Sequence, residues 1–301
     1  MRNKKTAGVI YAVAAYTLWG ILPIYWKLIN SVFSIEILSN RIVWAFVFMV
    51  IIIALTKQWG EFKCIVRDKR QMLYIFIASI LITFNWGLYI WAVNSDKIVD
   101  SSLGYYINPL FAVALGIAIF KEKLNYWQGA ALFTASIGVI IKTLQYGKIP
   151  WISLGLAISF GLYGAMKKFV RANSVVGLTL ETIIITPIAL AYIALRQFSG
   201  VGAFQREGAV VILLLIGSGV VTAVPLLLFA SGAKRLPMSV IGFTQYISPT
   251  ISLIIGIFVY HESFTAVDMV SFGFIWMALA IYSLSQMGLY KSLKGDIGQI
   301  N

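Results

Sequence analysis

Apolar positions in this chain come in runs of about twenty, separated by short polar stretches that hold most of the charge. The runs fall near 8–28, 34–55, 72–94, 99–120, 124–144, 151–171, 175–195, 209–230, 238–260 and 265–287. At 1.5 Å per helical residue, about 20 apolar residues cross the hydrocarbon core of a bilayer. The pattern predicts an all-α polytopic membrane protein with ten transmembrane helices. The connections are too short and polar for a soluble domain or a linker. The first run follows Arg2, Lys4 and Lys5, lacks a small-residue cleavage site and continues through Trp19 and Tyr25. It reads as a retained span, not a signal peptide.

Two of the runs are copies of one element. Residues 104–124 read GYYINPLFAVALGIAIFKEKL and residues 244–264 read TQYISPTISLIIGIFVYHESF. Six positions are identical: Tyr106/Tyr246, Ile107/Ile247, Pro109/Pro249, Gly116/Gly256, Ile117/Ile257 and Glu122/Glu262. Roughly two matches are expected by chance in so apolar a window. The 140-residue offset divides the chain into two homologous halves, 1–145 and 146–301, of five spans each. Five is odd, so the second half enters the membrane from the opposite side. The halves are therefore expected to be inverted repeats, the arrangement that lets a central site face either side by rocking.

Charge distribution sets the orientation. The chain is 60% hydrophobic and only 12% charged, with net charge +13 and mean hydropathy +0.87. With the N-terminus inside, seventeen Lys and Arg fall on the inner side and five on the outer, with Lys27 and Arg41 within or beside spans. This bias follows the positive-inside rule, places both termini in the cytoplasm and explains the basic balance without nucleic acid. The one cysteine, Cys64, rules out an intramolecular disulfide. There is no HExxH, Walker loop or Cys/His cluster, and the single His261 offers no triad. No enzyme activity, metal or cofactor is expected. Without a nucleotide-binding module, energy for any transport would come from an ion or counter-substrate gradient.

Charges within spans are the first candidates for function, because each costs about 2.5–3.5 kcal/mol at mid-bilayer on insertion scales. Glu36, Asn40 and Arg41 open span 2, with Arg41 roughly 10 Å deep. Glu181 lies about seven residues into span 7, and aligning EILSNRI with GLTLETI sets it opposite Asn40, next to Arg41. Arg41 is a candidate for binding substrate; Glu36 and Glu181 are candidates for coupling, with a proton as the coupled ion. The competing reading is snorkelling, or salt bridges that pin helices. Lys27 is placed to pair with Glu36 across the first hairpin.

Polar and aromatic side chains within spans come next. Pro23, Pro109, Pro187, Pro225 and Pro249 all lie in spans, where each frees a carbonyl. Tyr105, Asn108 and Ala112 share a face of span 4; Gln245, Ser248 and Ser252 hold the equivalent face of span 9; Asn85 and Tyr89 share a face of span 3. These faces either line a polar cavity or hydrogen-bond to neighbouring helices. Trp19 and Tyr163 are repeat-equivalent, each followed by a glycine, and either wall an aromatic pocket or simply pack. Glu122 and Glu262 stand at junctions before spans 5 and 10, where carboxylates suit helix N-termini. His261, beside Glu262, is a weaker candidate for sensing protons. Gly129, Ala131, Thr134, Ala135 and Gly138 stripe span 5, which suits close helix packing or a homodimer.

The segments AAYTLWG (14–20), EILSNRIVW (36–44), NWGLYIWAVN (85–94), SLGYYINPL (102–110), GLAISFGLYGAMKK (155–168), VVTAVPLLLF (220–229), GFTQYISPT (242–250) and FIWMALAI (274–281) carry a resemblance that runs nearly end to end. The chain resembles the RarD branch of the EamA drug/metabolite transporters. The resemblance implies ten helices in two inverted five-helix repeats around a central cavity. Spans 1, 3, 4, 6, 8 and 9 would surround that cavity, and the fifth span of each half would lie at the periphery. The family is associated by name with chloramphenicol sensitivity. Relatives often carry histidine just before the span 2 arginine, where this chain has Asn40, so a role for such a histidine does not carry over.

The reading is a secondary transporter, an exporter, of small metabolites or drug-like molecules in a bacterial inner membrane, working by alternating access. Its partners would be a small-molecule substrate and the lipid bilayer. A lipid or polyprenyl-carrier flippase is the main rival and predicts a cavity open sideways to lipid. An embedded enzyme would need a reactive cluster that is not found. A structural or sensory subunit needs neither inverted duplication nor buried charge.

Overall fold

The computed structural model describes residues 2–94, 98–147, 151–260 and 265–298. Its described residues form thirteen α-helices and no strands: α1 (Arg2–Lys27), α2 (Ser34–Leu55), α3 (Trp59–Arg67), α4 (Lys69–Asn94), α5 (Ile98–Phe120), α6 (Tyr126–Tyr146), α7 (Trp151–Phe169), α8 (Ser174–Phe198), α9 (Ala203–Arg206), α10 (Ala209–Ala233), α11 (Met238–Gln245), α12 (Ile247–Tyr260) and α13 (Ala266–Gly298). Among the described residues, eight stretches are long and apolar enough to cross a membrane. Two expected spans fall outside that set. Of α5, the side chains are described only from Gly104 to Phe120, and α7 carries Lys167 and Lys168 in its last turn.

The structure corrects the expected element list in three places. The stretch expected as span 9 keeps its length, Met238 to Tyr260, but its helix is interrupted at Tyr246, between α11 and α12. Pro249 has no N–H and its ring excludes the carbonyl four residues back, at Gln245. The chain turns there with a Tyr246 N–H bond to the Phe243 carbonyl instead. The other helices holding internal prolines, α1, α5, α8 and α10, run through them. Second, the expected loop after span 2 contains α3. Its Phe62 and Ile65 pack under the bundle, while Cys64 is exposed. Third, α13 extends to Gly298, beyond the expected end at 287.

Helices α1, α2, α4, α5, α7, α8, α10 and the α11–α12 pair form the body of the bundle, while α6 and α13 pack chiefly on each other. The small-residue stripe of α6 serves this second pairing. Ala131 and Ala135 are buried, and a Cβ on Gly138 would stand 2.6 Å from the Ser271 carbonyl oxygen. An ion pair between Lys142 and Asp268 joins the same two helices.

The middle of the bundle is filled rather than hollow. Tyr16, Trp19, Phe160, Tyr163 and Phe229 form one aromatic cluster with centroids 5.2–6.2 Å apart. The ring edges and faces interlock in the offsets that aromatic quadrupoles favour. Trp19 and Tyr163, read as candidate pocket walls, are packing partners here.

Candidate functional site

Two buried charged centres lie between the helices, about two turns apart along α4. The first is Arg41, the eighth residue of α2 and only 8% exposed. Its Nε–H donates to Thr222 Oγ1 on α10 at 3.1 Å. The guanidinium carbon sits 4.4 Å from the Trp26 ring centroid and 4.8 Å from that of Trp86. The Tyr89 and Tyr105 hydroxyls are within electrostatic reach, and those two rings meet edge-on at 5.9 Å. Five helices, α1, α2, α4, α5 and α10, thus converge on one cation.

A glycine makes this convergence possible. A Cβ on Gly219 would overlap the backbone of Trp44, so α10 and α2 touch backbone to backbone there. Arg41 and Trp44 are three residues apart, as are Gly219 and Thr222, so one turn away the hydroxyl meets the guanidinium.

The second centre is Glu181, the eighth residue of α8 and 2% exposed. It pairs with Lys167 of α7, and its other oxygen accepts from the Tyr163 hydroxyl at 3.2 Å. Its backbone carbonyl accepts from Ser79 of α4 at 3.3 Å. Ser79 and Trp86 are seven residues apart, so the two centres are separated by about 10 Å along α4. A small apolar cavity lies between them, lined by Ile42, Ala45, Ile82, Trp86, Leu178, Glu181, Thr182, Ile185, Ala223 and Leu226.

The acid and base that the repeat alignment places at equivalent depths of the two halves lie in separate groups. Lys167, read as an inner-loop cation, is the partner of Glu181 and is 1% exposed. Its spacing from Tyr163 was the available signal: residues four apart share a helix face, and Tyr163 is fully buried. Lys168, one residue on, points elsewhere and donates to the Leu236 carbonyl at 2.7 Å. Trp26 and Thr222 also escaped the sequence reading.

Other candidates are distributed around these centres. Glu36 does not pair with Lys27. One of its oxygens accepts the Ala203 N–H at 2.6 Å, and the other lies 3.6 Å from Arg196 Nε. Lys27 instead stands 3.4 Å above the Tyr260 ring centroid. Asn85 ties α4 to α7, donating to the Leu156 carbonyl at 2.9 Å and to Ser159 Oγ at 2.8 Å. Asn108 and Gln245 are buried; among the described residues Asn108 Oδ1 has no hydrogen-bond partner, and neither has Asn40 Oδ1. Gln245 ends α11 and Ser248 lies in α12, on either side of Tyr246. Ser252 donates to the Gly20 carbonyl at 3.1 Å.

Glu122 caps a helix, but in the other half of the chain. It accepts the Met238 N–H at 2.6 Å, the Ser239 N–H at 3.0 Å and the Ser239 hydroxyl at 2.8 Å at the start of α11. The counterpart Glu262 and its neighbour His261 lie outside the described residues.

A bundle of apolar helices with charge sequestered between them defines a multi-pass membrane protein. The profile of the EamA-like transporter family matches twice, over residues 6–144 and 148–284. The chain is 49% identical to Uncharacterized transporter YojE of Bacillus subtilis (strain 168), over 93% of this chain and 94% of that one. It is 39% identical to Protein RarD of Escherichia coli (strain K12), over 91% of this chain and 93% of that one. A solved crystal structure superposes with TM-score 0.67 at 14% identity, covering 92% of this chain and 97% of its own, which shows a shared fold. The chain belongs to the RarD branch of the EamA-like transporter family.

Proposed function

We propose that this protein is a secondary active exporter of small metabolites or drug-like molecules across the cytoplasmic membrane, working by alternating access. Two inverted five-helix halves, 1–145 and 146–301, rock about a shared site with both termini in the cytoplasm. The twofold match of the family profile supports the division into halves. The bias of Lys and Arg supports the orientation.

The observation that carries the reading is Arg41. A guanidinium costs several kcal/mol to bury unless it is compensated. Here it is held by Thr222, Trp26 and Trp86 at the junction of both halves. Arg41 orients an anionic or polar group of the substrate, and Tyr89 and Tyr105 border the same space. Glu181, already paired with Lys167, is the coupling carboxylate: taking up a proton would release the lysine and loosen α7 from α8. Glu36 is the weaker coupling candidate, since Arg196 and the Ala203 amide already hold it.

The test is counterflow in proteoliposomes, with substrates first found by thermal shift of purified protein against amino acids, nucleosides, organic acids and amphenicols. A ligand that binds the native state raises its melting temperature by mass action. Transport lost in Arg41→Ala and uncoupled from a pH gradient in Glu181→Gln supports the reading. Wild-type rates in both variants sink these assignments. Stabilisation by a polyprenyl carrier alone, with none from soluble compounds, moves the function to flipping lipid.

A further inference from the structure

We infer that the Arg41 centre selects organic monocarboxylates with a flat apolar body, over neutral, cationic and dianionic molecules of the same shape. The inference rests on the reading of Arg41 as a substrate site and names the class of ligand it takes.

Charge balance is the first argument. Among the described residues no carboxylate lies within 4.0 Å of the Arg41 guanidinium, and the acids in the bundle are committed elsewhere. Glu36 faces Arg196, Glu122 faces Lys168, Glu181 faces Lys167 and Asp268 faces Lys142. The indoles of Trp26 and Trp86 offer their negative faces, which attract a cation without neutralising it. One buried positive charge is balanced by one negative charge, so a monoanion suits the site better than a dianion.

Geometry is the second. Thr222 takes the Nε–H, which leaves the paired terminal amino groups of the guanidinium for a ligand. Two parallel N–H donors match the two oxygens of a carboxylate. The Tyr89 and Tyr105 hydroxyls are within electrostatic reach of the same guanidinium. Nothing acidic stands there to receive an ammonium group, so a zwitterion would bring an unmatched charge.

The third argument is the surroundings. Trp86 borders both the guanidinium and a cavity of about 20 Å³, room for about one water, whose walls include Ile42, Ala45, Ile82 and Leu226. A ligand whose carboxylate meets Arg41 must widen this space, and the surfaces it meets on doing so are indole and aliphatic, which suit an apolar body.

The experiment compares indole-3-acetate, indole-3-acetamide, tryptamine, tryptophan, phenyl phosphate and dodecanoate as ligands of the full-length protein in detergent, read by thermal shift and tryptophan fluorescence. Indole-3-acetate is expected to stabilise the protein and bind at least about tenfold tighter than the amide, the loss for one charge-assisted hydrogen bond. Arg41→Gln should abolish that preference. Arg41→Lys keeps the charge but loses the fork, and should weaken indole-3-acetate by about tenfold while still excluding tryptamine. If Arg41→Gln does not fold, the wild-type comparison of acetate with amide stands alone. Stabilisation by dodecanoate without indole-3-acetate would keep the carboxylate and move its source to membrane fatty acids, overturning the flat body. Equal binding of the amide, of tryptophan or of phenyl phosphate would overturn the class. Counterflow separates this inference from the transport reading: a carboxylate bound but never carried refutes transport alone. A neutral substrate carried by the wild type and lost in Arg41→Gln, with no preference for its carboxylate analogue, refutes the ligand class alone.

Discussion

Removing either partner of the Lys167–Glu181 pair should destabilise the protein far more than removing both. The pair is buried on both sides, with each residue at most 2% exposed, and Glu181 also accepts from Tyr163. A lone charge left in such a place has no water to solvate it. Breaking a buried pair by deleting one member costs about 3–5 kcal/mol, whereas replacing both with apolar residues of similar volume is neutral or stabilising by about 1–4 kcal/mol. Lys167→Met leaves the carboxylate with one hydroxyl donor; Glu181→Leu leaves the ammonium with only the Tyr163 ring, 5.1 Å away. The lysine variant should therefore be the milder of the two. Unfolding in mixed micelles with increasing SDS, on the wild type, both single variants and the double variant, gives the four free energies of a double-mutant cycle. Coupling of at least about 3 kcal/mol is expected. Two single variants within about 1 kcal/mol of wild type, or additive effects, would refute the reasoning, since the charges would then be solvated.

Gly219→Ala should cost about 1–3 kcal/mol or more, the range for overpacking, because its new methyl meets the Trp44 backbone, and it should weaken any ligand held by Arg41; an unchanged SDS midpoint would show that the two helices can part freely. Glu122→Gln keeps one acceptor oxygen for three donors at the start of α11 and should cost about 1–2 kcal/mol in the same titration. Lys234, just past α10, has its pKa lowered to about 8 by burial first and then by Lys167, with Arg235 adding to this and Glu181 and Glu61 opposing it. Below pH 8 the lysine is protonated in both folded and unfolded chains; between about 8 and the ordinary 10.5 the unfolded chain holds more protons. Stability should therefore rise with pH across that window, and Lys234→Met should flatten the rise in melting temperature. A slope that persists in the variant would assign it to another group.

What the sequence made legible was whatever depends on counting along the chain. Runs of twenty apolar residues located the helices, because the bilayer imposes that length. The 104–124 and 244–264 copies exposed the duplication, because both copies preserve Pro and Glu at the same offsets. Arg41 was visible for the same local reason: a charge eight residues into an apolar run is conspicuous wherever its side chain goes. What stayed hidden depends on rotation about helix axes. Lys167 and Lys168 differ by about 100° around α7, enough to send one into the core and the other to the Leu236 carbonyl. Residue counting treats the two alike. Trp26 and Thr222 lie 15 residues before and 181 after Arg41, and no periodicity links them to it. Their meeting is set by the backbone contact at Gly219, a residue that in an apolar run reads only as small. The break at Tyr246 is subtler still. Pro109 and Pro249 occupy equivalent places, yet α5 continues through its proline while α11 and α12 part. Proline frees a carbonyl in both copies; whether the chain parts there is decided by what packs around it. In this chain the two matching helices also cross, with Gly242 against the Pro109 carbonyl and the Tyr246 hydroxyl on the Tyr106 carbonyl. The repeat is thus symmetric in sequence, while its helix is interrupted in one copy only. If the protein works by alternating access, as proposed, the interruption should move to Tyr106 when the protein faces the other side. A spin-label pair spanning Tyr106 would read this, and a distance unchanged between the two states would deny that the copies exchange roles.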